Sequence, residues 1–323
     1  MSTSTDRALP DPRNLRDARV MVTGAAGFLG TALRRRLDAA GAQVLGTDLR
    51  MPRSVGSNED LRILDLADRP SLEAAAKDFS PDAVIHLAGL LGGERSWAFL
   101  ERALEVNLLG TVGLLRTLAD LPKVPQIALA GSSEEFGNAP RSPIDETCPD
   151  APVSPYSYSK SFATRTALQA HSLWGVPVRI LRPFILYGPG QTGPMFVPSL
   201  LEALAAGSPF PMSGGRQVRD FVFVDDAADA FARSVAVPES AGRILNLCTG
   251  RGHTLLDVVE IARTLPGARP DVRVGEVPYR PNEAWDLVGD PTLSRQLLGW
   301  EAAVPLEEGL RRTWSHLTKG VQP

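Results

Sequence analysis

Residues 20–30 read VMVTGAAGFLG, and this stretch decides the fold. An apolar run at residues 20–23 leads into three glycines, Gly24, Gly27 and Gly30, and an apolar helical pattern follows as far as Gly41. Strand, glycine-rich loop and helix in this order allow the backbone to turn tightly and to approach a pyrophosphate at the helix N-terminus. The chain has 29 glycines, so the spacing alone is a weak signal and the surrounding sequence has to support it.

An acidic residue at the end of the next apolar run supports a dinucleotide site. Asp48 follows Gly30 at the distance typical of the carboxylate that binds the adenosine ribose. Because a carboxylate repels a 2′-phosphate, Asp48 favours NAD over NADP. Arg50, two residues later, would partly reverse this preference.

Alternating strands and helices extend this unit into a sheet. Further apolar runs lie at residues 44–47, 61–64, 83–88, 126–130 and 178–181, and helical patterns include residues 99–118 and 156–174. This order predicts an α/β fold, a Rossmann-type doubly wound parallel sheet. After Gly188, glycine and proline become dense and the elements shorten, which indicates a smaller mixed α/β C-terminal substrate lobe. We expect a flexible tail at 1–17, an NAD-binding Rossmann domain at 18–187 and a substrate-binding lobe at 188–323, with segments that cross between lobes.

Composition excludes several classes of protein. The net charge is −3, so no strong positive field favours nucleic acid or an anionic membrane. Two cysteines and four scattered histidines do not form a disulfide framework or a metal site. No apolar run is long enough to span a bilayer, and the N-terminal residues lack the apolar core of a secretory signal. We therefore expect a cytoplasmic protein without a metal.

Tyr156 and Lys160 form a second, independent signal. They lie four residues apart, on one face of the helix predicted at residues 156–174. A phenol with a pKa of about 10 is a weak base at neutral pH, and a nearby ammonium would lower that pKa by stabilising the phenolate. Tyr156 would then exchange a proton with a sugar hydroxyl while a hydride moves to or from a nicotinamide. Lysine occurs only four times in the chain, so its position here is informative.

Several motifs together resemble the extended short-chain dehydrogenase/reductase family of nucleotide-sugar epimerases, dehydratases and 4-ketoreductases. They are, besides residues 22–30 and the Tyr156/Lys160 pair, HLAG at 86–89, Asn107, GSS at 131–133, RPFILYGPG at 182–190, RDFVFVDD at 219–226 and Arg280-Pro281. The resemblance covers most of the chain. It implies a Rossmann fold, a nicotinamide cofactor and a nucleotide-sugar substrate.

The resemblance also implies a role for each matching residue. Ser132 and Tyr156 would bind the reacting sugar oxygen, and Lys160 would hold the nicotinamide ribose. The implied cofactor-binding residues are Gly24, Gly27, Phe28, Leu29, Gly30, Asp48, Asp65, Leu66, Leu87, Ala88, Asn107, Tyr156, Lys160 and Pro183. Arg219 and Arg280 would bind the substrate diphosphate, for which the planar guanidinium is well suited. Ser133 would contact the sugar. Arg95 does not match a family motif; it lies in a stretch that follows the fourth predicted strand and should border the sugar, so it would contact the sugar as well.

The choice among reactions stays open at this point. GSSEEFG at 131–137 most resembles the 4-keto-6-deoxy sugar reductase branch, whereas an epimerase uses the same Ser, Tyr and Lys. Glu134 stands where dehydratases have a Glu that removes a proton from C5, although Glu134 and Glu135 also fit a solvated loop. Ile185 replaces the usual Asn of the family, which contacts the substrate near the diphosphate, and residues 90–97 are atypical. A dehydrogenase of a small sugar acid or hydroxy acid is the alternative outside nucleotide sugars.

The family resemblance also raises the question of assembly. Relatives often dimerise through the helices predicted at residues 99–118 and 156–174. We therefore expect a homodimer, although Leu104, Leu108 and Leu115 would serve a core equally well.

Overall fold

The fold is built on a large sheet of seven parallel strands, and the other strands form smaller sheets. The structure is a computed structural model that describes residues 15–50, 61–280 and 282–319. The strands are β1 (Arg19–Thr23), β2 (Gln43–Asp48), β3 (Leu61–Ile63), β4 (Ala83–His86), β5 (Gln126–Ala130), β6 (Val178–Pro183), β7 (Ile185–Tyr187), β8 (Pro209–Met212), β9 (Val218–Phe223), β10 (Ile244–Leu247), β11 (Gly252–Thr254), β12 (Asp271–Val274) and β13 (Asp286–Leu287). The large sheet has the order β10-β6-β5-β4-β1-β2-β3. Its order reverses between β1 and β4, where ligands bind in doubly wound sheets.

Helices cover both faces of this sheet. They are α1 (Phe28–Ala39), α2 (Arg69–Phe79), α3 (Trp97–Ala103), α4 (Gly110–Ala119), α5 (Pro155–Trp174), α6 (Phe196–Ala206), α7 (Val224–Val235), α8 (Leu255–Arg263), α9 (Thr292–Leu298) and α10 (Leu306–Lys319). One core lies between the sheet and α1 and α7, and a second lies between the sheet and α2, α4 and α5. The predicted Rossmann-type class is confirmed.

A second lobe packs around its own core. Strand β9 pairs with β7, β11 and β13, and β8 pairs with β12. Helices α6, α8 and α10 bury apolar side chains against this small sheet, including Leu200, Val258 and Leu310. The mixed α/β character predicted for the C-terminal part is confirmed.

The chain crosses between the two lobes. Strand β10 follows the second lobe's first elements in sequence, yet it pairs with β6 in the large sheet. Helix α7 likewise packs on α1, and Arg36 Nε donates to Asp229 Oδ1 over 2.7 Å. Segments on the C-terminal side of residue 187, the predicted boundary, therefore also belong to the layers of the large sheet.

Residues ahead of the first strand pack on the protein. Residues 1–14 of the predicted tail lie outside the described residues. Leu15 is buried in the first core, and the backbone of Asp17 donates to Gly41 O over 2.9 Å. The end of the predicted tail, residues 15–17, is thus packed against the sheet because Leu15 provides an apolar anchor.

The helix predicted at residues 99–118 is interrupted. A π-helical turn, Leu104–Leu109, separates α3 from α4. Such a turn accommodates one extra residue and is frequent at functional sites. It contains Asn107, whose side chain faces the end of the large sheet.

Candidate functional site

The glycine-rich loop lies at the carboxyl end of β1, where backbone segments approach closely. Gly24 has a φ of +70°, and a Cβ there would lie 2.6 Å from Ala88 N. A Cβ on Gly30 would lie 2.2 Å from Gly24 O. Gly27 is the N-cap of α1, and Phe28 and Leu29 begin the helix. The loop is therefore a cradle that only glycine fits, with the positive end of a helix dipole behind it.

Asp48 closes this cradle on one side. It ends β2, and its Oδ2 accepts a hydrogen bond from Ala26 N over 3.0 Å. Arg50 is exposed, and its backbone donates to Asp48 Oδ1 over 3.3 Å. Asp65 and Leu66 follow β3 at the same edge, and Asp65 Oδ1 accepts from Ala67 N over 2.9 Å. Asp48, Asp65 and Leu66 thus lie together at the carboxyl ends of β2 and β3.

His86 shapes the other side of the cradle from within the protein. Its ring is buried and forms two hydrogen bonds. The Nδ1–Thr23 Oγ1 distance is 2.6 Å, and the Nε2–Thr111 Oγ1 distance is 3.2 Å. Thr23 Oγ1 in turn accepts from Ala88 N over 3.3 Å, which places Leu87 and Ala88 beside Gly24. Burial lowers the pKa of His86 to about 3, so the ring is neutral. Sequence reasoning missed this role because a lone histidine carries no recognisable spacing.

Asn107 connects the loop after β4 to α5. Its Oδ1 accepts from Leu90 N over 2.6 Å, and its Nδ2 donates to Leu90 O over 3.0 Å and to Ser159 Oγ over 2.8 Å. Ser159 precedes Lys160, so Asn107 holds the sheet edge at a fixed distance from the helix with the predicted catalytic pair.

Ser132, Tyr156 and Lys160 meet at the carboxyl edge of the sheet. Ser132 is buried directly after β5, and Lys160 Nζ donates to Ala130 O at the end of the same strand. A hydrogen bond from Ser132 lowers the pKa of Tyr156, but burial and the charge of Glu134 raise it more. Burial also lowers the pKa of Lys160, while Glu135 raises it.

The charge balance of this trio differs from the sequence expectation. Proximity of the ammonium predicts a lowered pKa for Tyr156, whereas the net direction in the structure is upward. Lys160 is directed to a carbonyl oxygen, and the enclosed position of the phenol dominates. Tyr156 is therefore a protonated acid at neutral pH in this arrangement.

The two consecutive glutamates point in different directions. Glu134 reaches the open cleft. Removal of its carboxyl from bulk water by the surrounding protein raises its pKa, and the charges of Arg280, Arg219 and Arg95 lower it by less. Glu135 is fully buried, so the alternative of a solvated loop is wrong for this residue. The reason is a 3₁₀ turn, Ser133–Phe136, which turns the Glu135 side chain back to the Ser132 backbone.

Positive charge surrounds the mouth of the cleft. Arg219 Nη2 forms an ion pair with Glu283 Oε1 at 2.7 Å, whereas Arg280 is exposed. Arg95 Nη1 donates to Val153 O over 3.3 Å. Pro281, which accompanies Arg280 in the motif, lies outside the described residues.

The remaining predicted positions lie nearby. Ser133 is buried in the first position of the 3₁₀ turn, and Pro183 ends β6. Ile185 begins β7 and packs on the core of the second lobe, so the family's usual amide at this position is replaced by an apolar contact.

Two buried polar atoms close to the arginines have no partner in the described structure. They are Gln217 Oε1 and Tyr279 Oη. Gln217 Nε2 donates to Ser213 Oγ over 3.1 Å, and a Cβ on the adjacent Gly214 would lie 2.3 Å from Tyr279 Oη. Because buried polar groups are nearly always paired, these two groups fit a site that receives a polar ligand. Sequence reasoning missed both; their positions next to Arg219 and Arg280 were the available signal.

No helix in the described ranges is long and apolar enough to cross a membrane. Within the same ranges, no three His, Cys, Asp or Glu side chains are grouped so as to hold a metal ion.

Known proteins similar to this chain cover nearly all of it. The sequence model described as the NAD dependent epimerase/dehydratase family matches residues 20–248. The UDP-glucose 4-epimerase of Mycolicibacterium smegmatis is 32% identical over 316 residues, 91% of this chain and 97% of that protein. The dTDP-glucose 4,6-dehydratase of Xanthomonas campestris pv. campestris is 28% identical over 320 residues, 91% of both. The solved structure of MoeE5 in complex with UDP-glucuronic acid and NAD is 32% identical, has a TM-score of 0.85 and covers 93% of this chain and 99% of that one.

Proposed function

We propose, from the premise that this chain belongs to the NAD-dependent epimerase/dehydratase family, that it is a 4-epimerase of a nucleotide-diphosphate sugar. One observation carries the proton and hydride chemistry of the proposal: Ser132, Tyr156 and Lys160 meet at the sheet edge that also carries the glycine cradle. The relatives named above that act on UDP-sugars support this choice over the 4-ketoreductase.

NAD is the cofactor of this family, and the cradle fits it. A loop that excludes any Cβ at Gly24 and Gly30 leaves room for a pyrophosphate against the first turn of α1. Asp48 would accept hydrogen bonds from the ribose hydroxyls, and Asn107 would keep Lys160 within reach of the second ribose. When bound, NAD accepts and returns the hydride.

The chain's own residues would move the proton. Tyr156 would act as a phenolate, stabilised by Lys160 and by the positive charge of bound NAD, and would take the proton of the C4 hydroxyl, while Ser132 would hold the same oxygen. Return of the hydride to the other face of the ketone, with Tyr156 giving back the proton, inverts C4. Lys160 would stabilise the phenolate while the proton is absent.

The groups around the cleft would bind the rest of the substrate. Arg219 and Arg280 would bind the diphosphate, with Glu283 orienting Arg219. We propose that Gln217 and Tyr279 pair with the base, because each has a buried atom without a partner. Arg95 would contact the sugar, as would Ser133.

Product analysis tests this function. Purified protein is incubated separately with UDP-glucose, UDP-galactose, UDP-glucuronate and dTDP-glucose, and proton NMR follows C4 and C6 while absorbance at 340 nm follows NADH. An epimerase gives both C4 epimers from either one, with no net NADH change. Stoichiometric consumption of NADH with a 4-keto sugar nucleotide would instead identify a ketoreductase.

The 4,6-dehydratase is the second candidate, and Glu134 favours it. The carboxyl of Glu134 reaches the cleft and has a raised pKa, as suits a residue that exchanges protons near neutral pH. A dehydratase yields a 4-keto-6-deoxy sugar with a new methyl signal, and Glu134→Gln would abolish it. In an epimerase, the same variant would retain inversion at C4.

We propose a homodimer formed through α4 and α5. These helices and the adjoining π-helical turn expose apolar side chains to solvent. They are Leu109 in the turn, Val112 in α4, and Tyr158, Phe162 and Trp174 in α5. Trp174 is 72% exposed, which is unusual for a large aromatic residue unless another surface covers it. Light scattering after size exclusion should give twice the chain mass, and Phe162→Glu should give monomers. A cytoplasmic location stays a prediction.

A further inference from the structure

Glu135 is the centre of a buried hydrogen-bond network beneath the reacting groups. Its Oε1 accepts from Ser132 N over 2.7 Å and from Thr164 Oγ1 over 3.2 Å. Its Oε2 accepts from Arg182 Nε over 3.0 Å and from Arg182 Nη2 over 2.6 Å. Glu135 and Arg182 are both fully buried. A fully buried carboxylate with four charge-assisted or neutral donors has a fixed orientation.

The network continues along α5 through a second carboxylate, Asp150. Arg182 Nη2 also donates to Asp150 Oδ1 over 2.7 Å. Asp150 Oδ2 accepts from Ser161 Oγ over 3.1 Å and from Arg165 Nε over 2.8 Å. Two carboxylates and one buried guanidinium therefore hold Ser161, Thr164 and Arg165, which lie within about one turn of the helix that carries Tyr156 and Lys160.

Packing leaves this carboxylate no alternative position. A Cβ on Gly131 would lie 2.8 Å from Glu135 Oε1 and 3.0 Å from Arg182 Cγ. The guanidinium of Arg182 also lies over the ring of Phe136, 4.5 Å from its centroid. A shift of Glu135 would therefore move the Ser132 backbone, because no space exists to absorb the displacement.

The charge of Glu135 acts on the reacting groups as well. It raises the pKa of Tyr156 and opposes the lowering of the pKa of Lys160. Glu135 does not itself face the cleft, so it influences these groups only through space and through Ser132.

We propose that Glu135 is a positioning residue that fixes Ser132 against α5 and sets the charge around Tyr156 and Lys160. The inference rests on the proposed function in that these three residues are the reacting groups. The two neighbouring glutamates thus have different roles: Glu134 acts in the cleft, and Glu135 fixes the relative positions of Ser132, Tyr156 and Lys160.

The test compares two variants of one side chain in the NAD-bound protein. Glu135→Gln removes the charge and keeps the length, whereas Glu135→Asp keeps the charge and shortens the side chain. Both should lower kcat, by about 10- to 100-fold, because the reacting groups shift by a fraction of an ångström, with the KM for the sugar nucleotide little changed. Only Glu135→Gln should move the acidic limb of the kcat–pH profile to lower pH, since loss of a negative charge favours the phenolate.

A matched control removes a carboxylate from another packed ion pair. Asp229 pairs with Arg36 between α1 and α7, so Asp229→Asn should leave both kcat and the pH profile as in the wild type. Thermal unfolding of all variants identifies any loss that comes from unfolding.

A second measurement does not depend on turnover. The ring-carbon NMR signal of Tyr156 is the one missing in Tyr156→Phe, and its pH dependence is followed in the NAD-bound wild type and variants. We expect the titration in Glu135→Gln to begin at lower pH than in the wild type or in Glu135→Asp. Equal pH dependence in wild type and Glu135→Gln, or a fall in kcat with an unmoved profile, would overturn the proposal. Absence of turnover by the wild type on every sugar nucleotide would overturn the proposed function, and the NMR comparison would still decide the role of Glu135.

Discussion

The cofactor half and the substrate half of the cleft are built by different means. On the cofactor side, Gly24, His86, Ala88 and Asn107 are connected by short hydrogen bonds and close packing. On the substrate side, the functional groups approach one another through charge: Glu134 lies in the field of three arginines, and Arg280 is exposed. A packed site is fixed before a ligand arrives, whereas a charged rim is completed by the ligand's own phosphates. Substitutions on the cofactor side should therefore change the affinity for NAD, and substitutions on the substrate side should change the KM for the sugar nucleotide.

The largest effect is expected where the two halves join. Tyr156→Phe removes the proton donor and acceptor but keeps the ring, so kcat should fall by about 100- to 10,000-fold, the range for a lost general acid–base group. Binding of NAD, measured by calorimetry, should stay within a factor of about three because the cradle is untouched. Full turnover by the variant would show that the trio is not the catalytic centre.

Arg280→Ala tests the substrate half alone. Loss of a charge-assisted hydrogen bond to a diphosphate costs about 1.5–3 kcal/mol, so the KM for the sugar nucleotide should rise by about 10- to 100-fold. Affinity for NAD should not change, since the glycine cradle is built by residues 24–30 and not by Arg280. Arg263→Ala, which removes another arginine from an ion pair at the surface, is the control and should alter neither. An equal loss of NAD affinity in Arg280→Ala would contradict the division into halves.

The buried imidazole of His86 makes the stability of the cofactor half pH-dependent. Its pKa is lowered from 6.5 to about 3, so the unfolded chain binds a proton below pH 6.5 while the folded chain does not. Stability is therefore fully present above pH 6.5 and decreases as the pH falls towards 3. Between pH 6.5 and 4.5 the expected loss from this group is about 2 kcal/mol.

Urea unfolding at several pH values measures this effect. His86→Gln should unfold more easily at pH 7.5, yet its stability should fall less between pH 6.5 and 4.5. The exposed His316→Gln variant should keep the wild-type slope. The same slope in all three proteins would mean that His86 is protonated in the folded chain.

The fold of the cofactor half could be predicted from the sequence because its signals are local. Glycine spacing, the position of Asp48 and the Tyr156/Lys160 spacing each depend on neighbours in one loop or one helix, and strand order then follows from right-handed crossovers. The helix interruption at Leu104–Leu109 was not predictable, because a π-helical turn has no composition of its own and is stabilised by the contacts of Asn107.

The substrate half was harder because it is assembled from distant segments. Arg95, Glu134, Arg219 and Arg280 come from four separate parts of the chain, and their family roles have no local signal. The opposite orientations of Glu134 and Glu135 depend on where a short turn ends and on the buried Arg182. The unpaired atoms of Gln217 and Tyr279 appear only when the packing around them is known.

The smallest predicted effect concerns the choice between NAD and NADP. Asp48→Asn keeps an acceptor for the hydrogen bond from Ala26 N but removes the negative charge, so NAD affinity should fall by only about 5- to 10-fold, close to 1 kcal/mol. NADP affinity should rise, because the repulsion of a 2′-phosphate disappears while the exposed Arg50 remains to attract it. Arg50→Ala in the same background should cancel this gain and leave NAD binding unchanged. If Asp48→Asn also raised the KM for the sugar nucleotide, the two halves would be coupled more tightly than their contacts indicate.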